Sequence, residues 1–428
     1  MSLLNSSQKD ENMKHFKAIA VASVLSLGTS IAHSYDVTDR YKLIDDKLKT
    51  EQMLRPIGHD FFLDIGAALN KNVTDVVKDI SNVSKITGIA AQLTEAQRVL
   101  TKYDKTEQTV KINVALGFPV FRFSVGELKV QPNIRVMADA GANIGIRTDI
   151  LTPSAILDLF NFQLPADLKA QVLAHTYTAG DDLLQPICGS LTDPISNALC
   201  LANVGKYFYP DPTVPDMFLF AKIDGRFGFY NDYTYGEHFF GNWNLYGLSR
   251  TDIFQRVGYK MIAKGSKIEL PNKKNTEMAL QTDYRLGYQN SNYRVFTSVE
   301  DIKLSKLKEK DAGAKDHTYG YDPLIRLHAD AMYKFSVLSL NPFLGVHKRS
   351  GYGFADGMYV GADAGAHVWG DRLGLQLRGM VDKQYFTISP RLKLWLLQLE
   401  YSLKAPMKSM DGDVKLSALH SVDLRLFF

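Results

Sequence analysis

The stretch TVKINVALGFPVFRFSVGELKVQPNIRVMADAGANIGIR, residues 109–147, decides the fold. Its even positions open with Val110, Ile112, Val114, Leu116, Phe118 and Val120, and its odd positions with Lys111, Asn113, Ala115 and Gly117. Ser124-Val125-Gly126-Glu127 turns the chain. Then Val130, Ile134, Val136, Ala138, Ala140, Ala142, Ile144 and Ile146 share one face. Lys129, Gln131, Asn133, Arg135, Asp139, Asn143 and Arg147 share the other. Alternation with period two marks strands, because successive side chains point to opposite faces of a sheet. Ordinary globular strands run about 5–6 residues. These runs reach the roughly 9–11 residues that a tilted strand needs to cross a bilayer.

The same pattern recurs downstream. Ile325, Leu327, Ala329, Ala331, Tyr333 and Phe335 alternate with Arg326, His328, Asp330 and Lys334. Met358, Val360, Ala362, Ala364, Ala366 and Val368 alternate with Tyr359, Gly361, Asp363, Gly365, His367 and Trp369. After a turn at Gly370-Asp371, Leu373, Leu375, Leu377 and Val381 alternate with Arg372, Gln376, Arg378 and Asp382. Leu397, Leu399, Tyr401 and Leu403 follow Leu392, Leu394 and Leu396 with reversed parity, which predicts a β-bulge at Leu396-Leu397. Thirteen candidate strands emerge, near 109–123, 127–148, 216–230, 235–248, 252–264, 275–288, 292–304, 323–336, 338–349, 357–369, 371–383, 385–404 and 412–428. Single-chain bacterial barrels normally have an even number, so the expected fold is all-β, an antiparallel transmembrane barrel of 12–14 strands over 108–428. The weakest candidate is 235–248, where alternation is poor.

The totals are compatible with this fold. The chain has 428 residues, 45% of them hydrophobic, and one closed sheet absorbs several hundred residues. The mean hydropathy of −0.14 resembles that of a soluble protein, yet half of every barrel strand faces a polar lumen. A net charge of +4, from 50 basic and 46 acidic side chains, argues against a nucleic-acid partner, which calls for a concentrated basic face.

Residues 1–34 read as upstream residues and a signal peptide. Met13-Lys14-His15-Phe16-Lys17 is positive, and Ala18–Gly28 is an apolar run too short to span a bilayer. Cleavage between Ser34 and Tyr35 is favoured over a cut before His33. Residues 35–107 read as a helical N-terminal segment, either a plug or a periplasmic extension. Val76, Val77, Ile80, Val83 and Ile86 fall at helix-like spacings, and Thr94-Glu95-Ala96-Gln97 has the form of a capping box. Residues 150–215 interrupt the sheet as a helical and loop insertion. Thr152-Pro153 is read as a helix start, and Ala166–Ala174 as a helical turn or two. Its side of the membrane is left open. Within the insertion, Cys188 and Cys200 are expected to form a disulfide in an oxidising compartment. A metal site is the competing reading, weakened by the absence of a neighbouring His.

In the last strand Val414, Leu416, Ala418, Val422, Leu424, Leu426 and Phe428 share one face, broken only by His420. Lys415, Ser417, Ser421, Asp423 and Arg425 occupy the other. This strand resembles the terminal signature by which the bacterial outer-membrane assembly machinery recognises its substrates, carried by Val422, Leu424, Leu426 and Phe428. The third residue from the end, often Tyr in that family, is Leu426. The resemblance implies a bacterial outer-membrane location, with the lipid bilayer and the assembly machinery as partners. A closed sheet leaves no unpaired edge in hydrocarbon, so the terminal strand is expected to pair with the first, near 109–123.

The inferred inward face supplies the pore-lining candidates Arg135, Asp139, Arg147, Lys222, Asp224, Arg226, Arg326, Asp330, Lys334, Asp363, Arg372, Arg378 and Asp382. Such charges bias which solutes pass, or else cross-link neighbouring strands in a wet interior. The layout is loosely similar to the long-chain fatty-acid and hydrocarbon transporter barrels and to barrels annotated with conjugal transfer. That likeness implies an apolar ligand in a partly obstructed lumen. The expected function is an outer-membrane channel or transporter for small or apolar solutes, a porin-like barrel without a cofactor. The alternatives are a structural or adhesive outer-membrane protein and an outer-membrane hydrolase. For the hydrolase, His328 and Asp330 share a face, whereas His420 and Ser421 point to opposite faces. No G-x-S-x-G or H-E-x-x-H motif is present, and the protein is read as a non-enzyme. The aromatic clusters Tyr207-Phe208-Tyr209, Phe227 with Phe229-Tyr230, and Phe239-Phe240 are read as interfacial girdles or as ligand contacts.

Overall fold

A computed structural model describes residues 37–54, 61–148, 164–209, 211, 213–263, 275–308, 322–368 and 372–427. The signal segment with Ser34 and Tyr35, the Thr152-Pro153 start, the Gly370-Asp371 turn and Phe428 lie outside these residues.

The chain forms a closed antiparallel barrel of fourteen strands. In order they are β1 (Phe62–Asn70), β2 (Thr106–Pro119), β3 (Leu128–Arg147), β4 (Asp216–Tyr235), β5 (Phe239–Val257), β6 (Asn275–Gln289) and β7 (Tyr293–Lys308). They continue with β8 (Leu324–Ala331), β9 (Leu338–Lys348), β10 (Met358–Val368), β11 (Leu373–Asp382), β12 (Tyr385–Leu394), β13 (Leu397–Pro406) and β14 (Leu419–Phe427). Each pairs with its sequence neighbour, and β1 closes the ring against β14, from Phe62 opposite Phe427 to Asn70 opposite Leu419.

Three expectations about the strands are corrected. The barrel begins at Phe62, inside the segment read as helical, so the terminal strand pairs with β1 rather than with 109–123. This strand hides in the sequence because it is only nine residues long and carries Gly66, Ala67 and Ala68, which give little alternation. The candidates 235–248 and 252–264 are one continuous strand, β5. The Leu396-Leu397 bulge is a hairpin turn that divides 385–404 into β12 and β13. Trp395 takes φ 49° there, the left-handed backbone that tight hairpins require.

The two rims differ. At one, the chain reverses through short turns, with Gly126, Gly236, Ser336 and Trp395 all at positive φ. The other carries the long connections: 71–105, 148–215, 258–274, 309–323, 349–357 and 407–418. The wall is uneven. β3 and β4 each run 20 residues and β5 runs 19, whereas β10 to β14 run 9 to 11. The overhang at the long-loop rim supports two helices, α2 (Val73–Val83) and α3 (Ile89–Lys102). Val76, Val83, Val99 and Leu100 pack with Ile146, Met217 and Val257, which belong to the outward parity of β3, β4 and β5. Thr94 is not an N-cap. It sits inside α3, its hydroxyl donating to Ala90 O at 3.1 Å, and the helix starts after Gly88.

The insertion forms α4 (Ala166–Ala174), α5 (Gln185–Cys188) and α6 (Pro194–Asn203). It has its own core, with Leu168, Val172, Leu183, Leu184 and Ile187 around the half-cystines. Cys188 and Cys200 are disulfide-bonded, with Cα atoms 5.5 Å apart. A final short helix, α7 (Tyr259–Ala263), adds Ile262 and Ala263 to the packing of α2 and α3.

Candidate functional site: the occupied lumen

The faces of this barrel invert the usual rule. Along β4, Ile223, Phe227 and Phe229 are exposed on the outside, while Lys222 and Asp224 on the inside are buried. The same holds on β11, where Leu375 and Leu377 are exposed and Arg378 and Asp382 are buried. His420, the polar break in the outer face of β14, is satisfied by a 2.7 Å contact between its Nδ1 and the Tyr401 hydroxyl.

The lumen is filled by α1, Val37–Met53, a helix about 25 Å long at ~1.5 Å per residue. Its sequence, VTDRYKLIDDKLKTEQM, is polar except for a narrow stripe of Val37, Tyr41, Ile44 and Leu48 that packs on Phe218, Phe220, Tyr385 and Leu419, and its other faces need polar surroundings. The inward barrel face provides them. Asp45 accepts from Lys111 of β2 and from Lys49 at 3.1 Å. Asp46 accepts from Arg349 at 3.0 and 3.2 Å and from the Tyr352 hydroxyl at 2.9 Å. Lys47 donates to Asp382 at 2.6 Å, Lys404 pairs with Glu51, and Arg326 donates to Thr50. At the C-terminal end Arg378 donates to Glu51 O at 3.2 Å and Leu54 O at 2.9 Å while holding Asp363 at 2.9 Å. This guanidinium satisfies the orphan carbonyls of the last turn and opposes the negative end of the helix dipole. Room for the helix comes from Gly141 on β3, where a Cβ would overlap the Tyr41 hydroxyl.

Most of the sequence-derived lumen residues take part. Asp139 bridges Lys111 at 3.0 Å and Lys222 at 2.9 Å; Lys222 also reaches Asp224 at 2.9 Å. Arg226 lies 3.4 Å from Asp301. Arg135 stacks over Phe62 and Tyr230, 5.5 and 4.9 Å from their ring centres. Arg147 ends β3 opposite Asp216. Lys334 and Arg372 are exposed at the short-turn rim, beyond the interior. Pairing between neighbouring strands and pairing with α1 thus both occur. Sequence reasoning missed the acids and bases of α1, together with Lys111, Arg250, Arg349 and Lys404. Lys111 was visible on the polar face of its strand. The charged residues of α1 lie off the strands, so the two-residue period that marks the wall charges does not mark them; only the stripe of Val37, Tyr41, Ile44 and Leu48 is periodic, and it meets apolar wall.

Below the end of α1 the lumen opens toward the short-turn rim into a cavity of about 670 Å³, lined by Met53, Leu54, Arg285, Arg294, Phe296 and His328 among others. A second cavity of about 270 Å³ lies beside α1 and shares Met53 and Arg285. His328 and Asp330 are brought together, Nε2 to carboxylate at 3.2 Å, but the other ring nitrogen meets the Tyr359 hydroxyl at 3.0 Å. No serine or cysteine is described against this imidazole, so a hydrolase reading gains no nucleophile here among the described residues.

The aromatic clusters separate. Tyr207 and Tyr209 pack on the disulfide core of the insertion. Phe227, Phe229 and Phe239 face outward, Tyr230 stacks on Tyr246 inside, and Phe240 meets Phe296 inside.

No protein-family model and no curated relative matches the chain. Among solved structures, the chain is similar to the transport unit of the autotransporter AIDA-I from Escherichia coli. The TM-score is 0.34 at 8% identity, over 92% of this chain and 99% of that one. It is similar to the Pseudomonas putida toluene transporter TodX, TM-score 0.29 at 9% identity, over 74% and 69%. It is also similar to the outer membrane phospholipase A from Escherichia coli, TM-score 0.26 at 11% identity, over 86% and 90%.

Proposed function

We propose that this protein is a bacterial outer-membrane channel or transporter for small or apolar solutes, whose lumen α1 closes at rest. An apolar outer wall around a charged interior suits only a lipid surround. Tyr235, Phe239, Trp243, Tyr284, Tyr293 and Trp395 are exposed near the short-turn rim, as an interfacial girdle requires. Short turns face the periplasm and long loops face outward in such barrels, so the 150–215 insertion is read as external. Val422, Leu424 and Leu426 on the outer face of β14 are read, with Phe428, as the assembly signal, and residues up to Ser34 as the export signal.

The observation that carries the reading is α1 itself. A structural or adhesive barrel gains nothing from a lumen helix lashed at Asp45, Asp46, Lys47 and Glu51 to the wall. A gated one needs such a closure. The test is conductance in planar bilayers of the full protein and of a variant lacking residues 37–54, both checked for the heat-dependent gel shift of a folded barrel. The full protein is expected to be silent or to flicker, and the variant to conduct steadily. A folded, helix-free barrel that neither conducts nor admits solute to liposomes would end the transport reading.

A further inference from the structure

We propose that the cavity under α1 is a binding site for small organic anions with a flat apolar body, anchored by Arg285. The proposal deepens the transport reading, on which its meaning as a substrate site rests.

The charge balance of the cavity points to an anion. Each acid on its wall already has a cation. Asp330 holds Arg294 at 2.8 Å, Asp363 holds Arg378 at 2.9 Å, and Asp232 lies 3.8 Å from Arg135. Arg391 on the same wall is matched by Glu400 at 2.5 Å. Three cations are left over. Arg122 reaches only the amide of Gln131, at 2.9 Å, and neither Lys129 nor Arg285 has a carboxylate within 4.0 Å among the described residues. Arg122 and Lys129 are exposed at the short-turn mouth, where they attract anions; Arg285 lies deeper, where the two cavities meet.

Arg285 is held as a receptor would be. Its guanidinium lies over Phe296, 4.8 Å from the ring centre, which fixes its plane. Its Nε is buried with no acceptor among the described residues. A planar fork left open toward a cavity is matched by a carboxylate, which accepts two parallel hydrogen bonds. The apolar half of the ligand has a surface waiting. Phe240, Phe296, His328 and Phe343 run as consecutive ring contacts, at 6.3, 5.0 and 5.9 Å. Gly287 leaves the space that the Phe240 ring and the Cβ of Phe296 occupy.

The test is calorimetric titration of the full protein in detergent with benzoate, benzamide and inorganic phosphate, using matched protein-free micelles as blank. Benzoate is expected to bind, with benzamide and phosphate each weaker by about tenfold or more, because each lacks one half of the recognition. Arg285→Gln, shown to be folded by its gel shift, is expected to weaken benzoate by about tenfold or more, and Arg285→Lys to retain part of the affinity. Equal binding of benzamide, equal binding of phosphate, no binding of benzoate, or an unchanged Arg285→Gln would each overturn the proposal. Binding without flux in the helix-free barrel would sink the transport reading and leave the site standing. Flux with no effect of Arg285 would do the reverse.

Discussion

Arg349 grips Asp46 with two nitrogens, at 3.0 and 3.2 Å, across 303 residues of sequence and with both side chains almost wholly buried. The same guanidinium reaches Asp301 at 2.7 Å, so one residue ties the lumen helix to the loop after β9 and to β7. Taking one partner from a buried pair costs about 3–5 kcal/mol, because the other charge stays buried without its partner. Asp46→Ala is therefore expected to loosen α1 while the barrel persists. Hydrogen exchange of residues 37–53 should quicken, and channel openings should become frequent. Unchanged exchange across α1 would show that the pair is not a lock.

Gly141 and Tyr41 give an independent handle on the same closure. A side chain at 141 collides with the Tyr41 hydroxyl, and overpacking of this kind costs about 1–3 kcal/mol. Gly141→Val is expected to push α1 aside and raise conductance. Adding Tyr41→Ala should restore the closed state, since it removes the colliding ring. Failure of the second change to restore closure would place the effect in β3 rather than at the helix.

The disulfide acts on the insertion alone. Cys188 and Cys200 close a loop of 12 residues, for which the chain-entropy model gives about 3 kcal/mol. The core around them is separate from the barrel. Replacing both with Ser is expected to leave the thermal transition of the barrel unchanged and to speed proteolysis within 164–209. On intact cells the same cleavage should occur from outside, if the long-loop rim is external. A lowered barrel transition would mean that the insertion braces the wall.

The α2–α3 layer should be sensitive to acid. Asp79 accepts from Lys102 Nζ at 2.7 Å and from the Tyr103 hydroxyl at 2.9 Å, and these bonds hold its carboxyl below the usual range. A depressed carboxylate stabilises above its unfolded pKa, near 3.9, and the gain is lost as pH falls through the folded value. Exchange protection of residues 73–102 is expected to stay level from neutrality down to about pH 5 and to decline below pH 4. Asp79→Asn should flatten that decline; an identical acid profile in the variant would reject the assignment.

How much of this was legible depends on the element. The long strands read directly from 109–147 and 357–383, because each residue there answers to one of two environments. β1 was missed because Gly66, Ala67 and Ala68 fill close quarters, with Asp423 and Asn113 crowding Gly66. The turn at Trp395 passed for a bulge because a parity reversal looks the same whether the chain bulges or doubles back. A helical plug was one of the two readings of 35–107, and α1 lies in that range, but its bounds and its partners were not legible. Its polar partners, among them Lys111, Arg326, Asp382 and Lys404, lie on different strands, and no local pattern in the chain links them to the helix.

The sequence by itself determined which face of each strand is apolar, since the two-residue period is a local property of the extended chain. It also marked the cysteine pair, two thiols a few residues apart. The tertiary structure alone decided that Lys111, Arg349 and Lys404 point at one helix and that Arg285 has no carboxylate within 4.0 Å among the described residues. Ion pairing is set by distance in space, and closure of the sheet brings together charges that lie hundreds of residues apart along the chain.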